Sequence, residues 1–146
     1  MRAGLAEYSD SGRLLTYRSH NFGSRARLRD GVRSILHGLP DLQVLLLEGG
    51  GPLAEIWQRA GERRELRLIV VSAEEWRKSL LLKREQRSGT QAKDVADRLA
   101  RRVIEWSAAA RPTSLRHDAA EAILAGLWGV KELGWLDLSL DEILRT

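Results

Sequence analysis

Leu42-Gln43-Val44-Leu45-Leu46-Leu47-Glu48-Gly49-Gly50-Gly51-Pro52 decides the fold class of this chain. Its first six residues form a near-continuous apolar run of strand length, the pattern of an inner strand covered on both faces. The glycines end that run. Pro52 suits the first position of a helix, and Leu53, Ile56, Trp57 and Ala60 follow at helical spacing. Leu66-Arg67-Leu68-Ile69-Val70-Val71 reads as the next strand. Ser72 and Glu75 then have the spacing of a capping box for a helix carrying Trp76 and Leu80. Strands that alternate with helices predict an α/β fold.

Working outward, residues 3–8 and 13–21 read as two short strands joined by Asp10, Ser11 and Gly12, which predicts a hairpin. Ser24 to His37 has helical apolar spacing and stops at Gly38 and Pro40. Residues 82–90 are polar and basic and read as a loop. From Gln91 to Ala110, Val95, Leu99, Val103 and Trp106 step along one helical face. Pro112 breaks that helix. Thr113 or Ser114 is the expected cap of a last long helix running to about Leu133. The expected architecture is a mixed sheet flanked by helices, in one domain over 1–134 with a short tail over 135–146.

The 146 residues suit one compact core, and 43% hydrophobic with 30% charged residues is a globular composition. No apolar run reaches the roughly 20 residues of a bilayer span, and the first residues lack a signal-peptide core. No membrane partner is expected. With no cysteine there is neither a disulfide framework nor a thiolate metal site, and a cytoplasmic location is the default expectation. Lys and Arg number 24 against 20 Asp and Glu, and the basic side is almost all arginine, which suits phosphate ligands. One basic cluster, Arg25, Arg27, Arg29 and Arg33, reads as a solvated helix face. The other, Lys78, Lys83, Arg84, Arg87 and Lys93, surrounds a loop and is the better candidate for nucleic acid.

Two acidic features stand out. Glu48 closes the apolar strand, and in open α/β sheets ligands bind beyond the carboxyl ends of strands. A strand-end glutamate in water is the plainer reading. Arg116-His117-Asp118-Ala119-Ala120-Glu121-Ala122-Ile123-Leu124 places two carboxylates three residues apart on one helical face among alanines. Such a pair calls for a compensating cation, and a divalent metal with oxygen ligands is one. Acids in a first helical turn also interact well with the helix dipole. If Glu48, Asp118 and Glu121 converge, they form the kind of carboxylate group that holds Mg²⁺ for phosphodiester hydrolysis. No histidine pair, nucleophile elbow or phosphate loop competes with this reading.

From Leu42 to about Gly129 the chain resembles the RuvC-type Holliday junction resolvases of the ribonuclease H-like superfamily. The resemblance rests on the strand ending at Glu48, on Leu68–Lys78 as a strand followed by a lysine-bearing helix, on the basic loop opening into Gln91-Ala92-Lys93-Asp94-Val95, and on His117-Asp118-Ala119-Ala120-Glu121-Ala122. Ala3-Gly4-Leu5-Ala6-Glu7-Tyr8 resembles the second half of the family's first strand. The resemblance implies a ribonuclease H-like fold and a Mg²⁺- or Mn²⁺-dependent endonuclease for branched DNA, acting as a homodimer. It further implies that Glu48, Asp118 and Glu121 hold metal, that Lys93 lies near the scissile phosphate or metal-bound water, and that Lys78, Lys83, Arg84 and Arg87 meet the DNA backbone. Two departures accompany it. Glu121 stands where the family usually has aspartate. The aspartate of the family's first strand falls upstream of Met1, so the first strand is expected to be truncated and a preceding segment missing. The alternatives are a catalytically impaired nucleic-acid-binding member of the same fold and a YqgF-like nuclease acting on RNA.

Overall fold

The computed structural model describes residues 1–145. The chain is a mixed α/β protein whose elements run β1 (Arg2–Tyr8), β2 (Leu14–Asn21), α1 (Arg25–His37), β3 (Val44–Glu48), α2 (Pro52–Arg63), β4 (Arg67–Val71), α3 (Ala73–Leu80), a 3-10 turn (Lys83–Gln86), α4 (Gly89–Ser107), α5 (His117–Glu132) and α6 (Leu140–Leu144). They form two compact units. One comprises Met1–Arg2 with Asn21–Ala73, the other Ala3–His20 with Glu74–Thr146.

The first unit is a β–α–β arrangement with α1 packed on α2. β3 and β4 pair in parallel, with Val44 opposite Arg67 and Glu48 opposite Val71. Gly61 of α2 lies against Leu68 and Leu45, where a side chain of its own would stand 2.8 Å and 3.1 Å from their methyl groups. Leu28, Val32 and Leu36 form the buried face of α1. The end of that helix is closed from outside: the Arg64 guanidinium donates to the carbonyls of Leu36 and Leu39, which satisfies acceptors a helix C-terminus leaves open. Phe22 and Trp57 meet edge to face at 6.3 Å.

The apolar run 42–47 predicts an inner strand of one mixed sheet. Among the described residues β3 instead pairs only with β4, and the four strands form two separate two-stranded sheets. A strand bonded on one side retains accessible backbone and side chains, so only Leu47 of β3 is buried.

The second unit contains the hairpin, α3, α4, α5 and α6. Its core is the α4–α5 contact, where Leu99, Val103 and Ile104 face Ala120, Ile123, Leu124 and Leu127, all nearly inaccessible. Small residues at Ala96, Ala100, Ala119 and Ala120 let the two helices approach closely. Trp76 and Leu80 of α3 and Leu144 of α6 complete it. The tail 135–146 therefore contributes to the core through Leu136, Ile143 and Leu144. A capping box between Ser139 and Glu142 starts its short helix.

Two local expectations are corrected here. Residues 82–90 hold a 3-10 turn, stabilised by the Leu82 amide bonding to the buried Glu85 carboxylate at 2.7 Å. Neither Thr113 nor Ser114 caps α5. The cap position is Arg116, which makes no side-chain cap bond. Asp118 in the first turn takes the Ala119 amide itself, at 2.8 Å, and so answers one of the donors a cap would satisfy.

Candidate functional site

The acid-bearing turn of α5 is where the sequence places its chemistry, and β1 runs directly over it. Gly4 lies so close to that turn that a Cβ would stand 1.9 Å from the Asp118 carbonyl oxygen. Four residues along the strand, the Tyr8 ring packs against Gly126, where a Cβ would stand 2.4 Å from the ring. The Tyr8 hydroxyl donates to the Ile123 carbonyl, and burial pushes its phenol well above the ordinary range. Four strand residues span about 13 Å, and the eight helical residues from 118 to 126 span about 12 Å. The two lengths match, so β1 lies along α5 in the same direction, with its N-terminal end at the acids. At Gly4 the obstruction is backbone, so only a residue without a side chain permits the approach; at Gly126 the missing side chain makes room for the Tyr8 ring.

Asp118 and Glu121 are both half-buried, the Glu121 side chain 19% exposed, and each has protein partners. Ser19 of β2 donates to Asp118 Oδ2 at 2.9 Å. Arg77 of α3 donates to Glu121 Oε2 at 2.6 Å, and His117 Nε2 stands 3.0 Å from Glu121 Oε1. The compensating cation that the acid pair calls for is thus supplied by Arg77. A cleft of about 520 Å³ flanks the same turn, lined by Tyr17, Arg18 and Ser19 of β2 and by Ser114, Leu115 and Arg116 ahead of α5.

The donor chemistry of Asp118 and Glu121 suits a hard cation such as Mg²⁺. In this structure those oxygens are engaged: Ser19 and the Ala119 amide donate to Asp118, Arg77 donates to Glu121, and His117 lies beside its other oxygen. Among the described residues no group of three or more His, Asp or Glu is placed to hold a metal ion. Glu48 is exposed at the end of β3, in the first unit, whereas Asp118, Glu121 and Lys93 belong to the second. Beyond Glu48, Gly49 donates to the Val71 carbonyl at 2.9 Å, and Gly49 and Gly51 adopt φ of 78° and 95° that other residues resist.

Lys93 is exposed on the first turns of α4, and Lys78 is exposed on α3. Lys83, Arg84 and Arg87 are exposed at and just after the 3-10 turn. Sequence reasoning missed Arg77, Ser19 and the pairing of His117 with Glu121. The last was detectable, since residues four apart share a helix face. Arg77 and Ser19 lie 44 and 99 residues from their partners and left no local signal.

No helix among the described residues is long and apolar enough to cross a membrane. No family model matches the chain, and no curated protein matches it.

Proposed function

We propose that this chain is a RuvC-type, ribonuclease H-like endodeoxyribonuclease that acts as a homodimer on Holliday junctions or other branched DNA. The observation that carries the reading is the close approach of Gly4 in β1 to Asp118 in α5. The resemblance requires the first strand to lie beside the closing acid-bearing helix, because those two elements share the hydrolytic site. Strand β1 follows that helix with its leading end at the acids, which supports the assignment of Asp118 and Glu121 as site residues. Mg²⁺ or Mn²⁺, when bound, supplies the activation of water and the stabilisation of the leaving oxygen. Glu121 reaches such an ion only by giving up Arg77 and His117. Glu48, in the first unit, is the further carboxylate that the resemblance implies, and its own variant tests it separately. Lys78, Lys83, Arg84, Arg87 and Lys93 provide phosphate contacts, which fix orientation without reading sequence.

The occupancy of Glu121 by Arg77 and His117 favours a second reading, a binding member of the same fold that does not hydrolyse. The test is cleavage of a synthetic four-way junction with Mg²⁺, comparing the chain with Asp118→Asn and Glu48→Gln. Cleavage lost in both variants supports the nuclease. Junction binding without cleavage in the parent chain selects the second reading. Equal cleavage in all three proteins refutes the site assignment.

A further inference from the structure

A second cleft, of about 560 Å³, lies in the second unit away from the acid turn, lined by Arg84, Arg87, Arg98, Arg102 and Arg145 around Glu85. Arg84 and Arg87 come from the basic 3-10 region, Arg98 and Arg102 from α4, and Arg145 from the C-terminal segment. Arg98 and Arg102 are four residues apart, so they stand one above the other about 6 Å along the helix axis. Glu85 is the organiser. It is buried, accepts from the Leu82 amide, and holds Arg145 at 2.8 Å and Arg98 at 3.2 Å. Arg145 is fixed further by the Leu80 carbonyl at 2.7 Å and by Asp141 at 3.1 Å. Five arginines therefore line the cleft, two of them held by Glu85. Their planar forks match phosphate oxygens bidentately.

We infer that this arginine cleft is a binding site for the phosphodiester backbone of DNA, with Glu85 positioning two of its guanidinia. The inference rests on the nucleic-acid reading above but not on hydrolysis. It adds Arg98, Arg102 and Arg145 to the contact surface and gives the C-terminal segment a binding role. A backbone suits the site better than a compact phosphate, because the arginines come from three chain segments and two of them stack along a helix. The cleft is also open rather than closed around one anion.

The test is fluorescence anisotropy with a labelled oligodeoxynucleotide in EDTA across a salt series, so that no metal chemistry enters. The double variant Arg87→Ala/Arg102→Ala leaves the Glu85 bonds to Arg98 and Arg145 intact. Each lost phosphate contact lowers the slope of log K against log salt by about 0.7–0.9, so the double variant is expected to lose about 1.5 in slope. The control Arg29→Ala/Arg33→Ala removes the same charge from α1 and is expected to leave the slope near that of the parent chain. An unchanged slope in the cleft variant, an equal loss in the control, or binding of inorganic pyrophosphate with no binding of DNA would each overturn the inference. Failure of the nuclease reading has a different signature: no cleavage with Mg²⁺, while the slope difference persists.

Discussion

Replacing Gly4 by alanine tests the contact on which the functional reading stands. The added Cβ would lie 1.9 Å from the Asp118 carbonyl oxygen, 2.3 Å from its carbonyl carbon and 2.9 Å from the Ala119 nitrogen. An ordinary contact needs about 3.4 Å or more, so β1 and α5 must separate by about 1.5 Å. No side chain can swing aside, because every obstructing atom is backbone. Overpacking of a core typically costs about 1–3 kcal/mol, and the rigid obstruction puts this case at the upper end. The same separation weakens the bond from Tyr8 to Ile123, and a buried hydroxyl without its partner costs about 1–3 kcal/mol. The expected total is about 3–5 kcal/mol, which for a urea m-value of about 2 kcal/mol/M moves the midpoint down by about 2 M. Gly50→Ala is the control. A Cβ there meets nothing within 4 Å and its φ is not positive, so its midpoint should stay level or rise slightly. Hydrogen exchange at α5 amides should accelerate in Gly4→Ala and not in the control. If the two variants unfold at the same urea concentration, β1 does not lie on the acid turn as described.

Arg77→Ala removes the cation from Glu121 while leaving Asp118 untouched. A charge-assisted bond of this kind contributes about 1.5–3 kcal/mol, so titration calorimetry with Mn²⁺ should show binding tighter by about 10- to 100-fold than in the parent chain; equal affinities would mean that Arg77 does not compete for that carboxylate. Glu85 sets a pH dependence. Burial raises its carboxyl pKa, but the Leu82 amide and the Arg145 and Arg98 guanidinia outweigh burial and hold it below the usual 4.5. A carboxyl depressed by folding adds stability above its unfolded value, and that stability is lost as pH falls through the folded one. Glu85→Gln should therefore unfold more easily than the parent chain at neutral pH, by about 1–3 kcal/mol, and the gap should narrow as pH falls below 4.5 and through the depressed folded value. A gap that does not narrow anywhere on acidification would contradict the ion-pair account.

The elements were largely legible because their signals are local. The Leu42–Pro52 stretch yields β3 and the Pro52 start of α2, and the steps Val95, Leu99 and Val103 yield the buried face of α4. Strand pairing was not legible. An apolar run states that side chains avoid water but not how many neighbours the strand bonds to, so β3 was read as an inner strand and pairs on one side. The tail offered too few residues for a periodic signal, although Leu136, Ile143 and Leu144 are buried. At the site, the acids Asp118 and Glu121 and the basic 3-10 region were visible as residue types. Their partners were not, because Ser19, Arg77 and Arg145 reach them only through tertiary packing.

The same mechanism explains both charged features of the second unit. A sequence shows where like charges gather; folding decides what neutralises them. On α5, two acids one turn apart meet Arg77, His117 and Ser19, so the fold needs no bound cation to tolerate them. Around Glu85 the arrangement is reversed: one buried carboxylate holds Arg98 and Arg145 in a cleft that Arg84, Arg87 and Arg102 also line. An acid turn whose charge is already answered binds a further cation only by exchange, whereas a cleft lined by five arginines offers donors to an anion. Polyanion binding should therefore persist when divalent metal is removed, and any hydrolysis should carry the additional cost of freeing Glu121.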